Sequence, residues 1–206
     1  MNGAPMRLDQ TEIQHWIAEG SRILDLGCGD GTLLKYLQET KNTSGYGLEI
    51  GADQINACID KGLNVIEQNL DDGLGNFADQ SFDTVIMAQA IQTMHYPHKV
   101  LDEMLRVGKE CIVTFPNFGH WKARWHLAVR GRMPVSDLLP FEWYDTPNIH
   151  FCTFRDFEVL CRDKGITVLH RQVVNEASPN FLKDVSPNLF GETAIYHLRL
   201  GDRAGQ

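Results

Sequence analysis

Apolar positions along the chain switch between two periods. Asp9 to Ala18 carries Ile13, Trp16 and Ile17 on one helical stripe, with Gly20 as a natural stop. Strand-like and helix-like segments then alternate. Arg22–Leu26 reads as a strand, Gly31–Glu39 as a helix with Leu33, Leu34 and Leu37 inward, and Ser44–Glu49 as a strand. Ala52–Lys61 reads as a helix closed by Gly62, and Leu63–Glu67 as a strand. Phe82–Met87 is almost continuously apolar, the pattern of a strand covered on both faces. Pro97–Val107 is a helix with proline at its start and Leu101, Met104 and Leu105 on its inner stripe, followed by a strand at Glu110–Phe115.

The rhythm breaks after Pro116. From 117 to 149 no clean periodicity is visible, and the stretch holds three of the four tryptophans (Trp121, Trp125, Trp143) together with Pro134, Pro140 and Pro147. Regularity returns at Thr153–Lys164, a helix whose Thr153 and Asp156 have N-cap spacing. Ile166–Val174 and Glu192–Leu198 read as strands joined by a polar loop containing Pro179 and Pro187, with no crossover helix. That ending predicts an antiparallel last strand, and the tail Gly201–Gln206 reads as frayed. Repeated strand–helix alternation elsewhere predicts parallel βαβ units: an α/β fold with a mostly parallel sheet of seven strands and helices on both faces. At 206 residues the expectation is one domain, 1–206, with an irregular insertion at about 117–149.

Composition adds limits. A net charge of −8 argues against nonspecific nucleic-acid binding by the whole surface. The five cysteines form no Cys-x-x-Cys pair and read as reduced thiols. Asp9, Glu12 and Glu19 exclude a secretory leader in the first residues, and the longest apolar run, Val85 to Ile91, is too short for a membrane span. The expectation is a cytoplasmic protein with neither a membrane nor a nucleic acid as partner.

The chemistry concentrates where the first strand ends. Ile23-Leu24-Asp25-Leu26-Gly27-Cys28-Gly29-Asp30-Gly31 is a buried strand running into a glycine-rich turn, and the next strand ends on Glu49. Glycines at a strand–helix junction let backbone approach a ligand, and an acid at the next strand tip can hold a ribose diol. A dinucleotide site wants Gly-x-Gly-x-x-Gly, but here the third glycine comes one residue early and Thr32 stands in its usual place. Asp25, Asp30 and Glu49 are poor company for a pyrophosphate and suit a cationic ligand without phosphate. S-adenosylmethionine, with its sulfonium, ammonium and ribose, answers that description.

On these residues the chain resembles the class I methyltransferases that use S-adenosylmethionine. Asp25 to Gly31 looks like their first motif, Ser81-Phe82-Asp83-Thr84-Val85-Ile86 like the fourth-strand motif, and Leu101 to Val107 like the helix after it. The resemblance implies that Gly27, Gly29 and Gly31, flanked by Asp25 and Asp30, line the methionine part of the cofactor. It also implies that Glu49 holds the ribose hydroxyls, that Asn69, Leu70 and Asp71 flank the adenine, and that Gln89 sits near the sulfonium. The family usually has an acid where Asn69 stands.

Longer strings resemble a narrower family, the methionine biosynthesis protein MetW. They include Gly45-Tyr46-Gly47-Leu48-Glu49-Ile50, Gly73-Leu74-Gly75-Asn76-Phe77, Thr114-Phe115-Pro116-Asn117-Phe118-Gly119-His120-Trp121 and Pro147-Asn148-Ile149-His150-Phe151-Cys152-Thr153. That resemblance runs from about Ile13 to Leu198. It implies a bacterial protein of methionine synthesis that binds and supports the homoserine O-acyltransferase MetX. It supplies no methyl acceptor, so a methyltransferase acting on a small molecule stays open beside an accessory or regulatory role.

Phe118 to Ser136 contains no acid but does contain Lys122, Arg124, Arg130 and Arg132, a local charge of +4 in an acidic chain. Large aromatics beside arginine dominate interface energetics. Three readings stand: a docking surface, a lid over an acceptor pocket, or a helical cap with its tryptophans inward and its arginines solvated. Basic–aromatic interleaving can also stack RNA bases. His95 and His120 follow the fourth and fifth strands, and His120 is the candidate general base, with no convincing nucleophile beside it. His120, His126, His150 and Cys152 lack metal-ligand spacing, so no metal site is expected.

Overall fold

The computed structural model describes residues 6–136, 139–175, 183 and 185–201. One seven-stranded sheet organises them: β1 (Arg22–Leu26), β2 (Ser44–Glu49), β3 (Val65–Glu67), β4 (Phe82–Ala88), β5 (Gly108–Pro116), β6 (Ile166–Val174) and β7 (Thr193–Leu200). The order is β3-β2-β1-β4-β5-β7-β6. Strands β1 to β5 pair in parallel, whereas β7 is antiparallel to both β5 and β6. The antiparallel last strand follows from the sequence as read. β6 and β7 are antiparallel neighbours, and the described part of their connection includes the four-residue helix Pro187–Phe190.

The helices include α1 (Leu8–Ile13), α2 (Thr32–Lys41), α3 (Ala52–Asp60), α4 (Pro97–Val107), α5 (Trp121–Arg130), α6 (Phe154–Asp163) and α7 (Pro187–Phe190). Two apolar cores form, one on each face of the sheet. One gathers Val100, Leu101, Met104 and Leu105 of α4 and Phe154, Phe157 and Cys161 of α6 against Val85, Val113 and Tyr196. The other gathers Ile13, Leu33, Leu34, Leu37 and Cys58 against Ile23, Ile86 and Ile112. Strands sandwiched this way read as continuous apolar runs, which is why β4 and β5 were visible in the sequence.

Local chemistry accounts for several boundaries. Thr153 and Asp156 form the reciprocal capping box of α6: Thr153 Oγ1 accepts from the Asp156 amide, and Asp156 Oδ2 accepts from the Thr153 amide. Pro97 opens α4 in the first turn, where its missing N–H costs nothing. The charges of the Leu101–Val107 motif are structural. Arg106 bonds Glu103, Asp79 and the carbonyls of Leu74 and Phe77, latching α4 to the loop before β4.

Two expectations change. The first helix is shorter than Asp9–Ala18, because the chain tightens into a 3₁₀ turn at Gln14–Trp16. The 117–149 stretch is not wholly irregular, since α5 occupies ten residues of it. Its helical period was hidden because its apolar residues do not face the body. Pro179 and the tail past Gly201 lie outside the described residues.

Candidate functional site

The carboxyl ends of β1, β2, β4 and β5 bring the predicted residues to one edge of the sheet. After β1 the chain passes through Gly27, Gly29 and Gly31, all left-handed, with φ of 68°, 56° and 75°. Only glycine takes three such turns cheaply. Behind the turn the fit is close. A Cβ on Gly31 would lie 2.3 Å from Leu63 Cδ1 and 2.8 Å from Cys58 Sγ. In front it is open, for a Cβ on Gly29 would meet nothing within 4 Å.

Glu49 ties the turn to β2. Its Oε2 accepts from the Gly29 amide at 2.9 Å, and its Oε1 accepts from the Ile50 and Gly51 amides at 2.8 and 2.9 Å. Two amides fill Oε1, and Oε2 keeps one acceptor position. Ile50, beside it, is 63% exposed, an apolar side chain at the strand tip with nothing over it.

The three carboxylates prove unequal. Asp30 is a structural anchor: it accepts from the Thr32 amide and hydroxyl and pairs with Lys61 at 2.7 Å, which holds its carboxyl below the usual range despite partial burial. Its charge is therefore largely answered, and the negative field at the turn is smaller than three acids suggest. Asp25 is the opposite case. It is 2% exposed, its Oδ1 has no hydrogen-bond partner, and burial, only partly offset by Arg7, pushes its carboxyl up to about 7. A buried carboxyl without a partner is an expensive group to keep in an apolar setting.

Asn69, Leu70 and Asp71 form a 3₁₀ turn after β3. Asn69 caps it by accepting from the Asp71 amide, and Leu70 is buried. Asp71 faces His95, accepting from its amide at 2.9 Å and meeting Nδ1 at 2.6 Å. These hydrogen bonds lower the Asp71 pKa against some desolvation.

Gln89 follows β4 in the left-handed region with φ of 62°, uncommon for a residue with a side chain. The strand tips over-determine it. Its amide is shared between the Thr114 carbonyl and hydroxyl, and that hydroxyl donates to Asp9 Oδ2 at 2.8 Å. Arg7 pairs with the buried Asp9 at 3.1 Å. A relay Arg7–Asp9–Thr114–Gln89 thus anchors the chain's first helix at the strand ends. Arg7 escaped notice in the sequence and Asp9 read only as a mark against a leader. The available signal was an acid on an otherwise apolar helical stripe.

Beside Gln89 opens a cavity of about 400 Å³, walled by Arg7, Asp9, Gln89, His120, Lys122, His126 and Glu192 with Ala123, Pro134, Val135 and Leu139. His120 is 3% exposed, its Nε2 has no partner, and burial lowers its pKa, so the ring is neutral at pH 7. His95 lies elsewhere, on Asp71. No cluster of three metal-ligating side chains occurs among the described residues, and no helix among them is long and apolar enough to cross a membrane.

The tryptophans of 117–149 do not pack inward. Trp121, Trp125 and Trp143 are 42%, 66% and 71% exposed. Arg124 is not a free surface charge, since it donates to the Gly119 and Asn188 carbonyls.

The sheet order, the glycine turn and the acid at the tip of β2 define a class I S-adenosylmethionine-dependent methyltransferase fold. An S-adenosylmethionine-dependent methyltransferase from Mesorhizobium loti superposes with a TM-score of 0.68 at 15% identity, over 92% of this chain and 96% of that one. Within that class the chain belongs to the family described as methionine biosynthesis protein MetW, which matches residues 7–198. A curated relative, the bifunctional methionine biosynthesis protein MetXA/MetW of Rhodopirellula baltica, is 33% identical over 201 residues. The alignment covers 92% of this chain and 32% of that protein, so the chain spans about a third of its relative's length. The ubiquinone biosynthesis O-methyltransferase of Erwinia tasmaniensis is 26% identical over 68% of this chain and 60% of its own.

Proposed function

We propose that the chain is a nucleoside-sensing partner in methionine synthesis: it binds S-adenosylmethionine at the glycine turn and supports or regulates the homoserine O-acyltransferase MetX. The observation that carries the partner half is the Rhodopirellula relative, in which a sequence like this one shares a polypeptide named MetXA/MetW. Two activities encoded in one chain are held at high effective concentration, which is useful when they must meet.

The ligand half rests on the fit of the turn. S-adenosylmethionine supplies an activated methyl group and a fixed positive charge. Asp25 Oδ1, buried without a partner, is a place where a cation restores the lost solvation. The open side of Gly29 lets backbone approach it, flanked by Gly27 and Gly31. Glu49 would hold the ribose hydroxyls. Its Oε2 has room for one, and a second contact displaces the Ile50 or Gly51 amide. Ile50 with Asn69, Leu70 and Asp71 would flank the adenine, and Gln89 the sulfonium end. Asp30, paired with Lys61, shapes the turn rather than touching the ligand. This reading makes the protein a bacterial cytoplasmic one.

A second reading is favoured by the cavity beside Gln89 and His120: a methyltransferase acting on an unidentified small molecule. Aligning an acceptor with an activated sulfonium needs little further chemistry, and neutral His120 would take the acceptor's proton. Incubating the chain with labelled S-adenosylmethionine and a cell-extract metabolite pool separates the two. The first reading predicts ligand binding, no conversion to S-adenosylhomocysteine, and altered acyltransferase activity in the mixed enzymes. Turnover abolished by His120→Ala would favour the second.

A further inference from the structure

We propose that the outward stripe of α5 is the surface on which the acyltransferase docks; this rests on the partner reading above. Trp121, Trp125, Ala128 and Val129 recur at the spacing of one helical face, and all four are exposed. On the inner side only Ala123 is buried and His126 half-buried. An ordinary surface helix has the reverse polarity, apolar stripe inward. A ten-residue helix is marginal on its own propensity, so burial of a single alanine does little to hold it. Its anchorage is polar instead. Arg124 ties it to the Gly119 and Asn188 carbonyls, and Gly131 closes its C-terminus in a left-handed turn. The helix is thereby set in place with its largest apolar groups facing solvent.

Charge selects the occupant. Arg130 and Arg132, at the C-terminal end of the helix, enter none of the ion pairs among the described residues, and no acid occurs from Phe118 to Ser136. A second copy docked by this stripe across a two-fold axis would bring two segments of the same positive charge together. The complementary partner is an apolar groove with an acidic rim, and we assign it to the acyltransferase. Tryptophan at the centre and arginine at the edge are the residue types that carry interface energy.

The test is calorimetric binding of the intact chain to the acyltransferase from the same organism at two salt concentrations. Trp125→Ala should weaken binding at least about ten-fold, and Arg130→Glu should weaken it several-fold with a shallower salt dependence. Neither should change the thermal midpoint or S-adenosylmethionine binding, whereas Ile59→Ala, an exposed apolar residue on α3, should bind as wild type. Equal binding by Trp125→Ala, the Trp121→Ala/Trp125→Ala pair and Arg130→Glu would overturn the assignment while leaving the partner reading intact. So would a dimeric chain that Trp125→Ala renders monomeric without loss of acyltransferase binding. If the wild-type chain itself fails to bind, both readings fall.

Discussion

The glycine turn after β1 and helix α5 after β5 stand on the same edge of one sheet but solve opposite problems. At the turn, polar groups are answered from within: Lys61 pairs Asp30, three amides fill most of Glu49, and Leu63 and Cys58 close the back of Gly31. One group is left over, the Asp25 carboxyl, and it is buried. At α5 the leftovers are apolar and exposed, and Arg130 and Arg132 enter none of the ion pairs among the described residues. A buried unpaired carboxyl asks for a small cation that reaches it through a narrow opening. An exposed tryptophan stripe asks for a large surface. The same edge therefore offers one place for a small molecule and another for a protein.

Substitutions can break this contrast, beginning with the largest effect. Gly31→Ala should cost about 4 kcal/mol, because left-handed backbone strain adds to a clash with Leu63 and Cys58. Chemical denaturation measures it, and an equal loss from Gly29→Ala, where a Cβ meets open space, would contradict the view that the turn is packed only from behind.

Asp25 gives a pH signature. Its carboxyl ionises near 3.8 when unfolded and at about 7 when folded, because of burial. Between those values the folded chain holds a proton that the unfolded chain has lost, so stability falls as pH rises through the window, by a few kcal/mol at most. Asp25→Asn should flatten that slope in thermal melts and stabilise the ligand-free protein above pH 7. It should also weaken S-adenosylmethionine binding, and wild-type binding near pH 6.5 should release a proton, read calorimetrically in buffers of different ionisation heat.

Glu49→Ala should cost about 2 kcal/mol by stranding amides of the turn, and should weaken S-adenosylmethionine at least about ten-fold. The smallest effect separates the two regions most sharply. Trp125→Ala should change stability by less than about 0.5 kcal/mol, since so little of the side chain is buried. A loss several times larger would mean that α5 is held by its tryptophans after all.

The contrast also explains what the sequence made legible. Strands β1, β4 and β5 announced themselves because burial on both faces leaves an apolar run, and Ser44–Glu49, Pro97–Val107 and Ile166–Val174 have the boundaries their patterns predict. The turn was legible because left-handed backbone demands glycine and leaves a spelled motif. Helix α5 was not, because periodicity is sought as an apolar stripe between polar faces, and here basic residues and tryptophans share the outer surface. Side-chain pairing was equally hidden. Nothing in the spacing from Asp30 to Lys61 shows that they meet, and so the three acids of the turn looked equivalent. The Arg7–Asp9–Thr114–Gln89 relay spans the chain from its first helix to β5, and only the sheet order brings it together.

The most direct test of the account is a calorimetric titration of S-adenosylmethionine into the chain alone and into its mixture with the acyltransferase. Saturable binding is expected in both, with an affinity that differs between them and a reciprocal change in acyltransferase affinity when the nucleoside is present. Absence of binding by both S-adenosylmethionine and S-adenosylhomocysteine would contradict it.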